Sequence, residues 1–442
     1  MKWFIGCIGV CVAMLITFGL LALYSATYSK LEPRMSSQQT MTSQQQVDGL
    51  NALADTTEAS WKVAPRNIQG MESLKKQAFF ALLGVVLCIL IATFFDYHFL
   101  NRPEVPIILL VLSAILLTAV FFPAVGGLRV KGASRWIQFG ISFQPSELAK
   151  LSIIIFLSWY GSRYFSYITH FWRGLIVPMV IIMPLVLLIF KEPDAGSTMF
   201  LLAIASCMLL IMGARWFYLA VPAGTMFIAL CVWLYYDPVR RARLFSWLDL
   251  EETKYGTGLQ VYASLIGLGS GGVFGKGLGT GEQKMGFIPE DHTDFILPVI
   301  GEEMGLVATL LIVILFAVFA YCGFKISTQT HDRFGSYLAI GITLMISLQA
   351  IINIGVVTNC LPNKGMPLPF ISRGGSNIVI LMLAVGLLLA VARDNMRHEP
   401  IEESFEEEIP DLRYPIQSAK QSRPSRRKKN PFEGKEYQDG EF

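Results

Sequence analysis

The side chains best suited to chemistry lie between Lys276 and Gly305, in KGLGTGEQKMGFIPEDHTDFILPVIGEEMG. Glu290, Asp291, His292 and Asp294 fall within five residues, after which the sequence turns apolar. A positioned carboxylate can take a proton from a hydroxyl nucleophile. A dense polar cluster at the lip of a membrane helix is costly and points to function. Pro289 and Asp291 to Thr293 mark a helix start, which puts Asp294 in the first turn. Glu302, eight residues on, then lies on about the same face, roughly 12 Å deeper. Glu302 and Glu303 inside a membrane imply a water-lined interior, a cationic partner or a proton path, and Lys150 is an available partner.

Basic groups come next. Arg129, Lys131, Arg135, Lys191, Arg240, Arg241, Arg243, Lys254, Lys284, Lys364 and Arg373 all fall in connections expected on one side of the membrane. A phosphate-bearing ligand accounts for such an excess; pairing with Glu251, Glu252, Glu282 and Glu290 is the plainer account. In KEPDAGST, Asp194 reads as an N-cap. In FQPSELAKL, Pro145 and Glu147 read as a helix start, with Lys150 one turn inside, either ion-paired packing or part of a polar site. Gln260, Tyr262 and Ser264 lead into eight glycines between Gly267 and Gly281. Glycine lets a backbone approach a ligand and present its amides, and it also gives plain flexibility. NCLPNKGMPLPFISRGGSN, from Asn359 to Asn377, cannot form a regular span. Such backbone survives at membrane depth only when buried in protein or lining a cavity.

The elements that must position these residues are membrane helices. The 442 residues are 53% hydrophobic and 16% charged, against about a quarter charged in a soluble domain. A span needs about 20 apolar residues. About ten candidates follow on that rule: 3–24, 77–95, 104–123, 147–161, 173–190, 196–213, 216–236, 296–322, 335–358 and 376–393. The expected fold is an all-α integral membrane protein with a large extracytoplasmic loop between helices 7 and 8. Its parts are a first helix (1–24), a long extracytoplasmic loop (25–75), a polytopic core (76–393) and a polar cytoplasmic tail (394–442). Both termini are expected in the cytoplasm. The first helix is too long and lacks the cleavage pattern of a signal peptide. Seven scattered cysteines show no metal or redox spacing, and a net charge of +3 gives no reason to expect nucleic acid. Trp136 reads as an interfacial anchor on a dipping loop.

Four collinear motifs, RWIQFGISFQPSELAKL, KEPDAGST, PEDHTDFILPVIGEEMG and KGMPLPFISRGGS, resemble the SEDS family (shape, elongation, division and sporulation), its FtsW branch more than its RodA branch. The resemblance implies a peptidoglycan glycosyltransferase of the bacterial cytoplasmic membrane. It would polymerise lipid II at the outer face, with a class B penicillin-binding protein and other division proteins as partners. The family's essential aspartate maps to Asp294, its arginine and tryptophan to Arg135 and Trp136, its lysine to Lys150, and the aspartate of its PDxG turn to Asp194. Ser372, Gly374 and Gly375 fall in its late SYGGS motif, where Arg373 replaces tyrosine. Glu192 stands where the family has glutamine, and the loop at 25–71 is longer than usual.

The expected chemistry is a single inverting displacement with Asp294 as base. Arg135, Lys150 and Arg243 would hold diphosphate, or a divalent ion (magnesium or manganese) would share that work. Gln260, Lys284 and Glu302 complete the candidate set. A lipid II flippase and a non-catalytic scaffold are the rival readings.

Overall fold

A computed structural model gives the architecture. It describes residues 1–28, 66–122, 127–130, 133–139, 141–192, 194–218, 220, 224, 228, 236, 238–254, 256–281 and 294–397. Helices occupy every expected span except 216–236, most of which lies outside the described residues. They are α1 (Lys2–Tyr28), α2 (Arg66–Phe94), α3 (Glu104–Ala119), α4 (Pro145–Arg163), α5 (Val177–Lys191) and α6 (Ala195–Ile211). After the partly described stretch come α7 (Pro238–Leu248), α8 (Leu250–Thr253), α9 (Leu259–Ser270), α10 (Ile296–Gln329), α11 (Arg333–Val357) and α12 (Gly375–Arg397). A π turn, Phe171–Ile176, leads into α5. Among the described residues, six helical segments are long and apolar enough to cross a membrane.

α4 sits at the centre. It is buried on nearly all sides, from Pro145 to Gly161. Its hydroxyls are closed locally: Ser158 Oγ donates to the Ile154 carbonyl at 2.7 Å. α11 and α3 pack against α4, α12 against α2, and α10 against α1 and α11. Small residues let these helices approach, because in lipid it is close packing that drives helix association. Gly386 of α12, for example, lies so near the Cys88 carbonyl of α2 that a Cβ would stand 3.1 Å from it.

Two connections differ from the sequence expectation. The loop before α4 is a small antiparallel sheet, β1 (Gly127–Val130), β2 (Ala133–Phe139) and β3 (Ile141–Phe143), in the order β1-β2-β3. Short runs between glycines favour hairpins over a loop lying in the interface. The long connection after 236 contains helices, and α9 buries Val261, Ala263, Ser264 and Gly267.

α10 is not one rod. Gly305 adopts φ 77° and ψ −173°, which divides it into a short half from Ile296 and a long half to Gln329. The break frees backbone groups, and the glycine-rich chain after α9 takes them up. Lys276 and Gly277 donate N–H bonds to the Glu302 and Glu303 carbonyls, both at 2.9 Å. Leu306 N–H returns a bond to the Gly272 carbonyl at 3.0 Å, and Val307 N–H to Val273 at 3.3 Å. The glycines here serve backbone-to-backbone contact, where the sequence suggested a ligand or flexibility.

Candidate functional site

Asp294 lies two residues before α10, in a turn, and not in the first turn of the helix as expected. The turn is held from α11, where Asn353 Nδ2 donates to the Asp294 carbonyl at 2.8 Å and to the Met366 carbonyl at 2.7 Å. One turn earlier on the same face, Gln349 Nε2 donates to the Pro367 carbonyl at 2.8 Å. Two amides, four residues apart on α11, thus anchor both Asp294 and the irregular 359–374 segment.

That segment reaches the Asp294 side chain. Gly365 lies so close that a Cβ there would run into Asp294 Oδ2. Asp294 is half-buried and Gly365 exposed, so the carboxylate stands at an open edge. Either side of Gly365 the chain touches α6. Lys364 Nζ meets Met199 Sδ, and Met366 lies 3.8 Å from where a Gly196 Cβ would sit. Burial holds the Lys364 amine below the ordinary lysine pKa. Gln260 joins here too, its Oε1 accepting from Asn363 Nδ2 at 3.1 Å.

Asp194 caps α6, accepting from Ser197 N–H at 3.1 Å and from Ser197 Oγ at 2.8 Å. Arg135 approaches from β2. The register skips it, Leu128 facing Trp136 and Arg129 facing Ser134, so Arg135 is the extra residue of a β-bulge, a device that re-aims a side chain. Its Nε donates to the Glu192 carbonyl at 3.2 Å, and its Nη1 lies 4.0 Å from Asp194 Oδ2. Trp136 is half-buried opposite Leu128. The Glu192 side chain is buried, with neither carboxyl oxygen hydrogen-bonded. Burial, then the charge of Asp194, raises its pKa to about 8, with Arg135 opposing.

Other predicted residues sit elsewhere. Lys150 does not meet Glu302. It is 2% exposed and pairs with Glu147 at 2.8 Å, over the Phe200 ring. At i and i+3 on α4 the two charges need no outside partner. Glu302, wholly buried, pairs with Lys276 at 3.1 Å, and Glu303 Oε2 accepts from Ser25 Oγ at 2.5 Å. Because Asp294 precedes the helix, the helical spacing that put Glu302 on its face does not apply; Glu302 faces the glycine-rich chain. Ser372 Oγ accepts from Leu368 N–H at 2.7 Å. Gln77 of α2 donates to the Ser372 carbonyl at 3.4 Å and accepts from Gly374 N–H at 3.1 Å. Gly375 packs on Phe80. These three residues therefore dock α2 against the start of α12. Lys284, Glu290, Asp291, His292 and the Arg243 side chain lie outside the described residues, as do most of the expected loop at 25–75 and the tail.

Among the described residues no group of three or more His, Cys, Asp or Glu side chains is placed to hold a metal ion. A polar cleft lined by Asp96, His98, Arg393 and Asp394 lies at the opposite end of α12 and holds none of the predicted residues.

Membrane-length helices, two broken stretches of backbone and a carboxylate fixed against one of them, the 359–374 segment, describe a multi-pass membrane protein with a polar site. The chain belongs to the FtsW/RodA/SpoVE family: the model of that family, described as "Cell cycle protein", matches residues 56–397. It is 39% identical over 328 residues to the probable peptidoglycan glycosyltransferase FtsW of Geobacter metallireducens, covering 73% of this chain and 85% of that protein. It is 36% identical over 323 residues to stage V sporulation protein E of Bacillus subtilis, covering 72% and 86%. Two solved structures share the fold. One comes from work on how a peptidoglycan synthase complex coordinates polymerization and crosslinking (TM-score 0.66, 23% identity, 88% of this chain and 97% of that one). The other is the rod shape determining protein RodA of Thermus thermophilus (TM-score 0.57, 22% identity, 88% and 96%).

Proposed function

We propose that this protein is a peptidoglycan glycosyltransferase that polymerises lipid II at the outer face of the bacterial cytoplasmic membrane, in septal wall synthesis, with both termini in the cytoplasm. The relatives named probable peptidoglycan glycosyltransferase FtsW support the activity, and the family description, "Cell cycle protein", supports a role in division. A class B penicillin-binding protein is the proposed partner, by analogy with the synthase complex that shares the fold. The observation that carries the reading is the Asp294 carboxylate, set at an open edge against Gly365 and held by Asn353.

In the reaction a sugar C4 hydroxyl attacks the anomeric carbon of a lipid-linked donor. The new C–O bond forms as the bond to the diphosphate breaks, with inversion. Asp294 takes the hydroxyl proton, and undecaprenyl diphosphate leaves with the bonding electron pair. Arg135, beside Asp194, and Lys364, beside Met199, both near the start of α6, supply positive charge for the leaving group. Lys150 is neutralised by Glu147 and acts by holding α4 in place.

The test uses purified protein and labelled lipid II in detergent, alone and with the partner, with moenomycin present. Glycan ladders that vanish in Asp294→Asn are expected. Detergent removes sidedness, so ladders cannot come from a flippase. Absence of ladders in both settings, or full activity in Asp294→Asn, overturns the reading.

A further inference from the structure

Glu192 is the residue that the mechanism above leaves unused and the structure leaves unexplained. It follows directly on α5 and is 1% exposed. Among the described residues neither carboxyl oxygen has a hydrogen-bond partner. Buried polar atoms are nearly always paired, and a buried charge without a partner is costlier still. The near cation, Arg135, gives its Nε–H to the main-chain oxygen of Glu192 and turns an Nη towards Asp194. A carboxylate beside an arginine ordinarily draws a forked pair of bonds from it. This carboxyl draws none, and a neutral acid costs far less than a carboxylate to bury without a partner.

We infer that Glu192 is a positioning residue that works as a neutral carboxylic acid: while it keeps its proton, Arg135 stays over Asp194 at the substrate's anion, and when it ionises it pulls the guanidinium onto itself and weakens that binding. The inference rests on the proposed function for the nature of the anion.

Among the described residues the surrounding charges are few. Asp194, two residues on, disfavours ionisation, and Arg135 favours it. From α4, Glu147 and Lys150 are closed on each other. From the 359–374 segment, the Lys364 amine lies against Met199. Lys191, the preceding residue, is exposed. Burial is the larger influence and acts with Asp194, so the proton is held to about pH 8. Below that pH the acid is neutral and the site is in its binding form. Above it, a single ionisation weakens binding about tenfold per pH unit.

The experiment measures binding of undecaprenyl diphosphate by the full-length protein in detergent from pH 6.5 to about 9.5, a range chosen to bracket a titration near 8. Wild-type affinity should be flat at the low end and fall about tenfold per unit at the high end. Glu192→Gln copies the neutral acid, so it should bind as wild type at pH 7 and keep that affinity throughout. Arg135→Gln should bind weakly at every pH and lose the dependence. Difference infrared spectra supply a second readout: a protonated-carboxyl C=O band in wild type at pH 7, absent in Glu192→Gln. The inference is overturned if Glu192→Gln shows the wild-type pH profile, if it has already lost affinity tenfold at pH 7, or if no such band exists. If the protein binds as described but makes no glycan, the inference stands and the transferase reading falls.

Discussion

Lys276 Nζ lies 3.1 Å from Glu302 Oε1, so this wholly buried carboxylate of α10 is matched from the glycine-rich chain across the helix break and not from α4. The same chain gives backbone N–H bonds to the Glu302 and Glu303 carbonyls, and Gly279 N–H donates to Ser25 Oγ at 2.9 Å, which itself reaches Glu303. Side-chain charge and backbone pairing thus fasten one joint. The sequence left Glu302 open to a transferase or a transport role; its position here is that of a fastening for the half-helix that follows Asp294.

Removing one partner of a buried pair leaves the other uncompensated. Lys276→Met should therefore cost about 3 kcal/mol, the low end for such pairs, because Lys276 is 32% exposed and partly screened. Adding Glu302→Gln should recover most of that. Unfolding in detergent checks both; a loss under about 0.5 kcal/mol for Lys276→Met, the size of an ordinary surface change, would deny the joint its role.

Gly365→Ala tests the site without touching its chemistry. The new methyl meets Asp294 Oδ2, so the carboxylate must move. A misplacement of about 1 Å can cost about 100-fold in rate. Polymerisation should fall by that order while melting stays near wild type. Asn353→Leu should lose both, because the buried Met366 carbonyl loses its donor at about 1–3 kcal/mol and the part-buried Asp294 carbonyl loses the same donor. An alanine variant at 365 with wild-type turnover would separate Gly365 from the working position of Asp294.

The helices were legible because long apolar runs have few alternatives in a membrane, and Asp194 was legible as a cap because its neighbours suffice to make one. Asp294 stands out by type and by resemblance, but the side chains that hold it do not. Asn353 and Gln349 are ordinary amides until the 359–374 segment folds back over them, and no spacing within α11 says which carbonyls they will meet. Sequence leaves Lys150 open to ion-paired packing or to a polar site with Glu302 as an available partner, because depth alone cannot choose between a distant carboxylate and Glu147 three residues away; the structure pairs it with Glu147. The break at Gly305 was missed because one glycine in a helix is usually tolerated; only the glycines of 271–281, lying alongside, make it a joint.

Glu147 and Lys150 are both buried, so their pairing is a condition for folding. Glu147→Gln should destabilise by about 3–5 kcal/mol, since it strands the lysine. Glu147→Gln with Lys150→Met should restore most of the stability. Restored stability together with restored activity would confine the pair to packing; restored stability without activity would show that its charges shape the site. A single variant that melts like wild type would contradict the geometry.

The raised Glu192 pKa also sets a stability trend. The folded state holds its proton up to about pH 8, whereas an exposed glutamate releases it near 4.5. Between these values the folded protein binds more protons than the unfolded chain, so this residue's contribution declines as pH rises. Glu192→Gln removes the decline. The difference in stability between wild type and Glu192→Gln should therefore widen from pH 5 to pH 8 in thermal scans, with Gln the more stable. A constant difference would mean that Glu192 is ionised throughout.

Gly305 offers the sharpest test of the broken helix. Its φ of 77° with ψ of −173° is a conformation open almost only to glycine, and holding another residue there costs about 1–3 kcal/mol. A Cβ would also strike the Gly275 nitrogen and the Val273 carbonyl. Gly305→Ala can relieve this only by drawing α10 towards a continuous helix, and the glycine-rich chain then loses its partners. Hydrogen exchange at the Lys276 and Gly277 amides should accelerate at least tenfold, corresponding to about 1.4 kcal/mol of lost protection, and Asp294, at the head of the half-helix, should lose activity with it. Unchanged exchange at those two amides would mean that the chain holds its place without the break.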